Sequence, residues 1–156
     1  MTITLTTLAE HRELVPWVAA EHFREWGAGH PGATLERWVM DRAGTFADRI
    51  PWTLVALQGE TPVGTAGLVH CDMDTHPELT PWLSGVYVAP AWRRRGIGTI
   101  LVQAAEAKAK EWRMTEIYLY TEHAAALYQR LGWSVLAKEL YNDQVVTIMA
   151  RYLALA

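Results

Sequence analysis

Val86-Tyr87-Val88-Ala89-Pro90-Ala91-Trp92-Arg93-Arg94-Arg95-Gly96-Ile97-Gly98-Thr99 is the stretch on which the reading of the chain turns. Val86 and Val88 alternate with Tyr87, a β-branched and aromatic pattern that suits a pleat, and Pro90 ends it. From Ile97 to Trp112 apolar residues recur at helical spacing. The order is strand, basic glycine turn, helix. The first turn of a helix carries unpaired N–H groups and a partial positive charge, and together these hold phosphate. Gly96 and Gly98 have no Cβ, so an anion can approach their backbone closely. Arg93, Arg94 and Arg95 add charge and forked donors. A GxxxxGK[ST] loop is absent, and a GxGxxG fingerprint fails because Leu101 occupies the third glycine position. What remains is Arg-x-x-Gly-x-Gly, from Arg93 to Gly98.

The remaining composition narrows the class. The chain has 156 residues, enough for one domain with a core, and residues 1–156 are read as a single domain. With 51% hydrophobic and 20% charged residues it is globular, not disordered. The net charge of −3 argues against a nucleic-acid partner, and the clustered arginines suit a small anionic ligand better than a duplex. Cys71 is the lone cysteine, so no intrachain disulfide forms. Met1 to Leu5 lack the pattern of a signal peptide, and no apolar run is long enough to span a bilayer. These features predict a cytoplasmic protein with no membrane partner. No His, Cys or carboxylate cluster has metal-ligand spacing, so no metal is expected.

Working outward, Thr2 to Leu5 read as a first strand. Thr7-Leu8-Ala9-Glu10 reads as a capping box opening a helix with Leu14, Val15, Val18, His22 and Trp26 on one stripe and Gly27 at its end. Thr34 caps a second helix, with Leu35, Val39, Ala43 and Phe46 predicted to face inward. Trp52–Leu57 and Val63–His70 form a hairpin. Gly64 and Gly67 within it suggest close approach by another backbone or a ligand. A polar loop from Cys71 to Pro81 leads to the strand Trp82–Val88. Beyond the long helix, predicted to bury Ile97, Leu101, Ala104, Trp112 and the stem of Lys108, come a strand at Ile117–Thr121 and a short helix at Glu122–Leu131. Trp133–Ala137 and Gln144–Leu153 close the chain as paired strands. The two strand–helix–strand units predict an α/β fold, with a mixed central sheet of six to seven strands flanked by about four helices.

A second segment, Tyr120-Thr121-Glu122-His123-Ala124-Ala125-Ala126-Leu127-Tyr128-Gln129-Arg130-Leu131-Gly132-Trp133, joins the first. The Arg93, Gly96, Gly98 pattern resembles the pyrophosphate-binding signature of the GNAT superfamily of N-acetyltransferases. The second segment resembles that family's N-x-x-A-x-x-L-Y-x-x-x-G-F run, with Ala124, Leu127, Tyr128 and Gly132 in register. Thr121 stands where many members have asparagine, and Trp133 where most have phenylalanine.

The resemblance implies the GNAT acyl-CoA N-acyltransferase fold and acetyl-CoA as cosubstrate. Strands Trp82–Val88 and Glu116–Thr121 then splay apart, leaving Val86, Tyr87 and Val88 to take the pantetheine arm as an added strand. The pyrophosphate sits on Arg93, Arg94, Arg95, Gly96, Ile97, Gly98 and Thr99, and Thr121 and Ala124 complete the cofactor set. A backbone N–H on the first of these strands holds the thioester oxygen as charge develops on it. Tyr128 is the implied general acid, protonating the departing thiolate.

The acceptor must be a neutral amine, yet a primary amine has a pKa of roughly 10.4. A base is therefore required. Asp72, closest to the end of the preceding strand, is the first choice; His70, Asp74 and Glu78 are alternatives, and residues of this kind in a loop are more often solvated charges than bases. The acceptor is expected to be a primary amine of a small molecule or an exposed peptide group; the acidic loop suggests that it is cationic, and Trp26 and Trp82 are placed beside the acceptor cleft. Most of the tryptophans, and Cys71, are expected to pack in the core. The closing strands carry much apolar surface, and a homodimer is expected. A catalytically inactive CoA-binding regulatory module is the alternative reading.

Overall fold

In the computed structural model, which describes residues 1–154, the elements follow the sequence order closely. They are β1 (Ile3–Thr7), α1 (Val15–Trp26), α2 (Leu35–Ala43), β2 (Trp52–Gln58), β3 (Thr61–Val69), β4 (Trp82–Val88), α3 (Ile97–Glu111), β5 (Glu116–Thr121), α4 (Ala125–Arg130), β6 (Ser134–Tyr141) and β7 (Gln144–Tyr152). The sheet has seven strands in the order β1-β2-β3-β4-β5-β7-β6. Every neighbouring pair is antiparallel except β4 and β5. The mixed sheet and four helices match the expected α/β architecture.

The alternation along β2 shows how the sheet is covered. Leu54 and Ala56 point into the core that contains Ile97, Leu101, Val102, Ala105 and Ala109 of α3. Val55, between them, points to the other face, against Val15 and Val18 of α1. A strand of period two buried on both faces needs a helix on each side, and both are present. Gly64 and Gly67 of β3 allow this close packing. A Cβ on Gly64 would lie 2.8 Å from the Tyr87 carbonyl oxygen and 2.9 Å from Leu101 Cδ1; one on Gly67 would lie 3.0 Å from the Trp52 carbonyl oxygen.

Several local expectations are corrected. Thr7 does not cap a helix: its register partner Leu54 holds it extended in β1, and α1 starts only at Val15 after two 3-10 turns. Pro16, which lacks an N–H, occupies the first turn instead. Thr34 does cap α2, its hydroxyl accepting from Arg37 N at 3.2 Å. That helix, however, has no buried residue: Leu35 is exposed and only Val39 touches core, and Phe46, which lies beyond the helix end, is exposed as well. In α3 the buried set includes Val102, Ala105 and Ala109, while Ala104, Lys108 and Trp112 are half-buried. Trp52, Trp82 and Trp133 are buried, but the other tryptophans are partly exposed, and Cys71 is exposed.

Gly64→Ala tests the packing between β3, β4 and α3. The added methyl meets a backbone oxygen that cannot rotate away, so the expected loss of stability is about 1–3 kcal/mol. Urea unfolding measures it; an unchanged midpoint would show that β4 and α3 yield here.

Candidate functional site

Strands β4 and β5 start as parallel neighbours and part at once. Trp82 with Tyr118 is their one register pair, supported by Tyr118 N donating to the Pro81 carbonyl at 3.0 Å. On its other side β4 follows β3 until a bulge: Thr65 pairs with Tyr87 and Gly67 with Ser84, so two residues of β4, Gly85 and Val86, lie opposite Ala66 alone. Gly85 takes φ +62°, a left-handed conformation that favours glycine. Val86 therefore has a register partner in neither neighbouring strand. The splay expected between these strands is present, and its edge is the bulged part of β4.

At the end of β4 the chain turns into α3. Gly96, at φ +80°, precedes the helix, no side chain caps it, and no acidic residue stands in the first turn. A Cβ on Gly96 would meet nothing within 4 Å, and one on Gly98 only Val88 Cγ2 at 3.7 Å. The first-turn amides thus lie beneath open space, which fits a phosphate group. Arg94, held at φ +63°, and Arg95, over the Trp92 ring, are exposed there. Arg93 differs. Its Nε donates to the Val88 carbonyl at 2.8 Å, its guanidinium lies over Tyr87, and Glu25 is 3.8 Å away. Arg93 ties the turn to the strand, and the Val88 carbonyl is already engaged.

On the α1–α2 side of β4 lies a cleft of about 600 Å³. Its wall includes His22, Arg42, Thr53, His70, Asp72 and Ser84. Asp72 and His70 thus lie together in the cleft. Asp74 and Glu78 lie elsewhere: Asp74 accepts from the Tyr141 hydroxyl at 3.3 Å, and Glu78 is 3.2 Å from His76. Burial pushes the Asp72 carboxyl up to about 6, against the opposing pull of a hydrogen bond from Ser84 and the charges of Arg42 and His30. A carboxyl there exchanges a proton near neutral pH, as a general base must. Burial pushes His22 the other way, down to about 3, so its imidazole is neutral. Trp26 and Trp82 do not line the cleft; Trp82 is fully buried, its indole N–H donating to the Leu79 carbonyl at 2.6 Å.

Tyr128 lies on α4, across the sheet. The Thr121 hydroxyl accepts from Ala124 N at 3.0 Å in the turn that leads into that helix, which begins at Ala125 and not at Glu122. Tyr128 is buried, its ring centroid 5.9 Å from that of Trp133, whose indole N–H donates to Glu106 at 2.8 Å. Burial pushes the phenol up to about 12, so it keeps its proton at neutral pH. Ala124 and Leu131 pack beside it in the same core, as their spacing on the helix requires.

Arg42, Thr53 and Ser84 line the cleft with no signal in the sequence. Arg42 comes from the polar side of α2, Thr53 from β2 and Ser84 from β4. His22 was legible as a stripe residue of α1, but not the hydrogen bonds it makes.

The profile of the "Acetyltransferase (GNAT) family" matches residues 11–133. Over 72 residues the chain is 36% identical to aminoglycoside N(6')-acetyltransferase type 1 of Acinetobacter haemolyticus, covering 42% of this chain and 48% of that protein. The match thus spans about half of that relative's length. The fold superposes on a crystal structure of aminoglycoside 6'-N-acetyltransferase complexed with coenzyme A, with TM-score 0.76, 18% identity and coverage of 99% and 98% of the two chains. It also superposes on an acetyltransferase of the GNAT family from Streptococcus pneumoniae, with TM-score 0.73, 15% identity and coverage of 98% and 100%. At such identities the likeness is one of fold.

Replacing Asp72 tests the electrostatics of the cleft. A carboxyl whose folded pKa of about 6 exceeds its ordinary 3.8 binds a proton more tightly in the folded chain. Its contribution therefore falls as pH rises between those values and is unfavourable above them. Asp72→Asn removes the titration. The variant is expected to melt higher than wild type at about pH 8, by a margin on the order of 1–3 kcal/mol, kept toward the lower end by partial exposure. The gain should vanish at about pH 4. Melting scans across pH measure it, and a pH-independent difference would remove the raised carboxyl.

Proposed function

The chain belongs to the GNAT acetyltransferase family, and on that premise we propose that it moves an acetyl group from acetyl-CoA to a primary amine of a small molecule. The observation that carries this reading is the early parting of β4 from β5 beside the uncapped first turn of α3. The amides of Ile97, Gly98 and Thr99, with Arg94 and Arg95, bind the pyrophosphate. Arg93 holds the turn against β4. The edge from Val86 to Val88 aligns the pantetheine arm, mainly through Val86 and the face beside Tyr87. Thr121 and Ala124 border the same gap from β5 and the start of α4. Acetyl-CoA supplies the activated acyl group; the protein's part is to hold, orient and move protons.

The acceptor occupies the cleft of Arg42 and Asp72. Asp72 takes the proton from the ammonium group, directly or through water, and His70 is the second candidate in the same wall. Tyr128 gives its proton to the departing sulfur. The aminoglycoside N-acetyltransferase relative supports a small-molecule amine as acceptor. The carboxylates Asp41 and Asp72 in the cleft support a cationic one. Among the described residues no helix is long and apolar enough to cross a membrane, and no group of His, Cys, Asp and Glu is arranged to hold a metal.

Exposed Val135, Leu136, Leu140 and Val145 on the β6–β7 edge support pairing of two copies. Light scattering is expected to give about twice the chain mass of 17.6 kDa; a monomer mass at high concentration removes the pairing.

The direct test is thiol release from acetyl-CoA across a panel of cationic amines. A protein that binds acetyl-CoA but releases no thiol with any amine is instead a CoA-binding regulatory module. Tyr128→Phe separates chemistry from packing. It keeps the ring and removes the proton, so acetyl-CoA affinity and melting temperature are expected near wild type while single-turnover rate falls. General acids contribute about 10²–10⁴-fold, and the lower end is expected because a thiolate already leaves readily. Normal turnover with a lowered melting temperature would make Tyr128 a packing residue.

A further inference from the structure

Beneath the bulge of β4 runs a chain of hydrogen bonds that the proposed function does not use. Arg42 Nε donates to His22 Nδ1 at 3.3 Å. His22 Nε2 lies 2.8 Å from Thr65 Oγ1. The Thr65 hydroxyl donates to the Gly85 carbonyl at 2.7 Å. Its ends fix its direction. A guanidinium has only donors and a carbonyl only acceptors. Nδ1 is therefore the accepting nitrogen, and a neutral imidazole must carry its hydrogen on Nε2 and donate it to Thr65. Each link is then satisfied in one arrangement alone. Thr65 is fully buried and His22 nearly so, which makes an unmade link costly.

The chain ends on one peptide plane. A trans peptide holds the carbonyl of one residue and the N–H of the next on opposite sides. Thr65 belongs to β3 and draws the Gly85 carbonyl that way, so the Val86 N–H is directed away from Thr65, on a residue with no register partner in either neighbouring strand. The His22 ring also packs on the plane: a Cβ on Gly85 would lie 3.3 Å from its Cε1. Trp26, at 5.0 Å between centroids, and Tyr87, at 6.2 Å, hold the ring in place.

We propose that Arg42, His22 and Thr65 are positioning residues that lock the Gly85–Val86 peptide, so that the Val86 N–H is aimed at the thioester carbonyl. This rests on the acetyl-transfer reading of the same site. None of the three touches the thioester; they act through Gly85. Arg42 and His22 also line the acceptor cleft, so one network spans the acceptor wall and the donor edge.

Two measurements test it on the full-length chain. In the first, Thr65→Val is compared with Thr65→Ser in amine acetylation and in acetyl-CoA hydrolysis without amine. A misaimed N–H slows attack by either nucleophile, so Thr65→Val is expected to lower both rates by the same factor, about ten- to hundredfold. Amine KM and acetyl-CoA affinity should stay within about twofold, and Thr65→Ser should restore most of both rates. Loss confined to amine transfer with a raised amine KM would make these residues part of the acceptor site and overturn the proposal, as would wild-type rates in Thr65→Val. In the second, nitrogen NMR of the wild-type His22 ring reads its tautomer whether or not a variant folds. A neutral Nε2–H form from about pH 5 to 8 is expected; an Nδ1–H or cationic ring overturns the lock. If wild-type protein acetylates no amine, the acetyl-transfer reading fails, while the ring spectrum still decides the direction of the chain.

Discussion

Strand β4 keeps β5 as a neighbour for one register pair, Trp82 with Tyr118, and then goes on without it. A strand in mid-sheet that loses a partner exposes backbone donors and acceptors, an arrangement soluble folds avoid unless something binds there. Here the loss is built in from both sides. The bulge at Gly85 and Val86 turns the strand away from its regular course. β5 meanwhile pairs fully with β7, from Glu116 with Tyr152 to Thr121 with Thr147, and cannot follow. The gap is therefore the product of two well-formed strand pairings pulling apart, and it ends beside the first turn of α3.

The same burial that forms the cleft sets its charges. Desolvation disfavours whichever form is charged, so it raises Asp72 and lowers His22. Arg42 lies between them and is itself pushed down by burial, with Asp41 and Asp72 pulling it back. One cation serves both neighbours. Its charge moderates the rise of Asp72, and its Nε–H fills the lone pair of a neutral imidazole while Nη1 reaches Asp41 at 3.1 Å. Replacing it by lysine would lose the planar fork that makes the His22 and Asp41 contacts together.

What the sequence disclosed follows a physical line. The strands, the long helix and the two signatures rest on local pattern: periodicity, glycine at a close approach, an uncapped helix start. Thr34 could be read as a cap because a cap depends on the next few residues; Thr121 accepts from Ala124 N, but α4 starts later than the pattern suggested, at Ala125 after an N-cap at Ala124. Thr7 misled because its local pattern competes with a distant one, the pairing with Leu54 that keeps it in a strand. The helix α2 misled because a strongly polar helix leaves its facing undecided; packing on α1 decided it, and turned Arg42 into the cleft. Asp72 could be placed in the cleft wall because it follows a strand end. The link from His22 to Thr65 spans residues with no sequence relation and was not legible at all.

Left-handed residues show where the fold accepts strain. Gly85 and Gly96 take positive φ freely, but Arg94, with a Cβ, also sits at φ +63°. Such a conformation costs about 1 kcal/mol or more in a non-glycine residue. It occurs in the turn that carries the chain from β4 to α3, where Arg93 has just been anchored to the Val88 carbonyl. With Arg93 fixed to the strand and Gly96 fixed before the helix, Arg94 and Arg95 have only two residues in which to reverse direction. A relaxed turn would be longer and would carry the helix start away from the end of β4. The strain at Arg94 thus follows from keeping the first-turn amides of α3 next to the open strand edge.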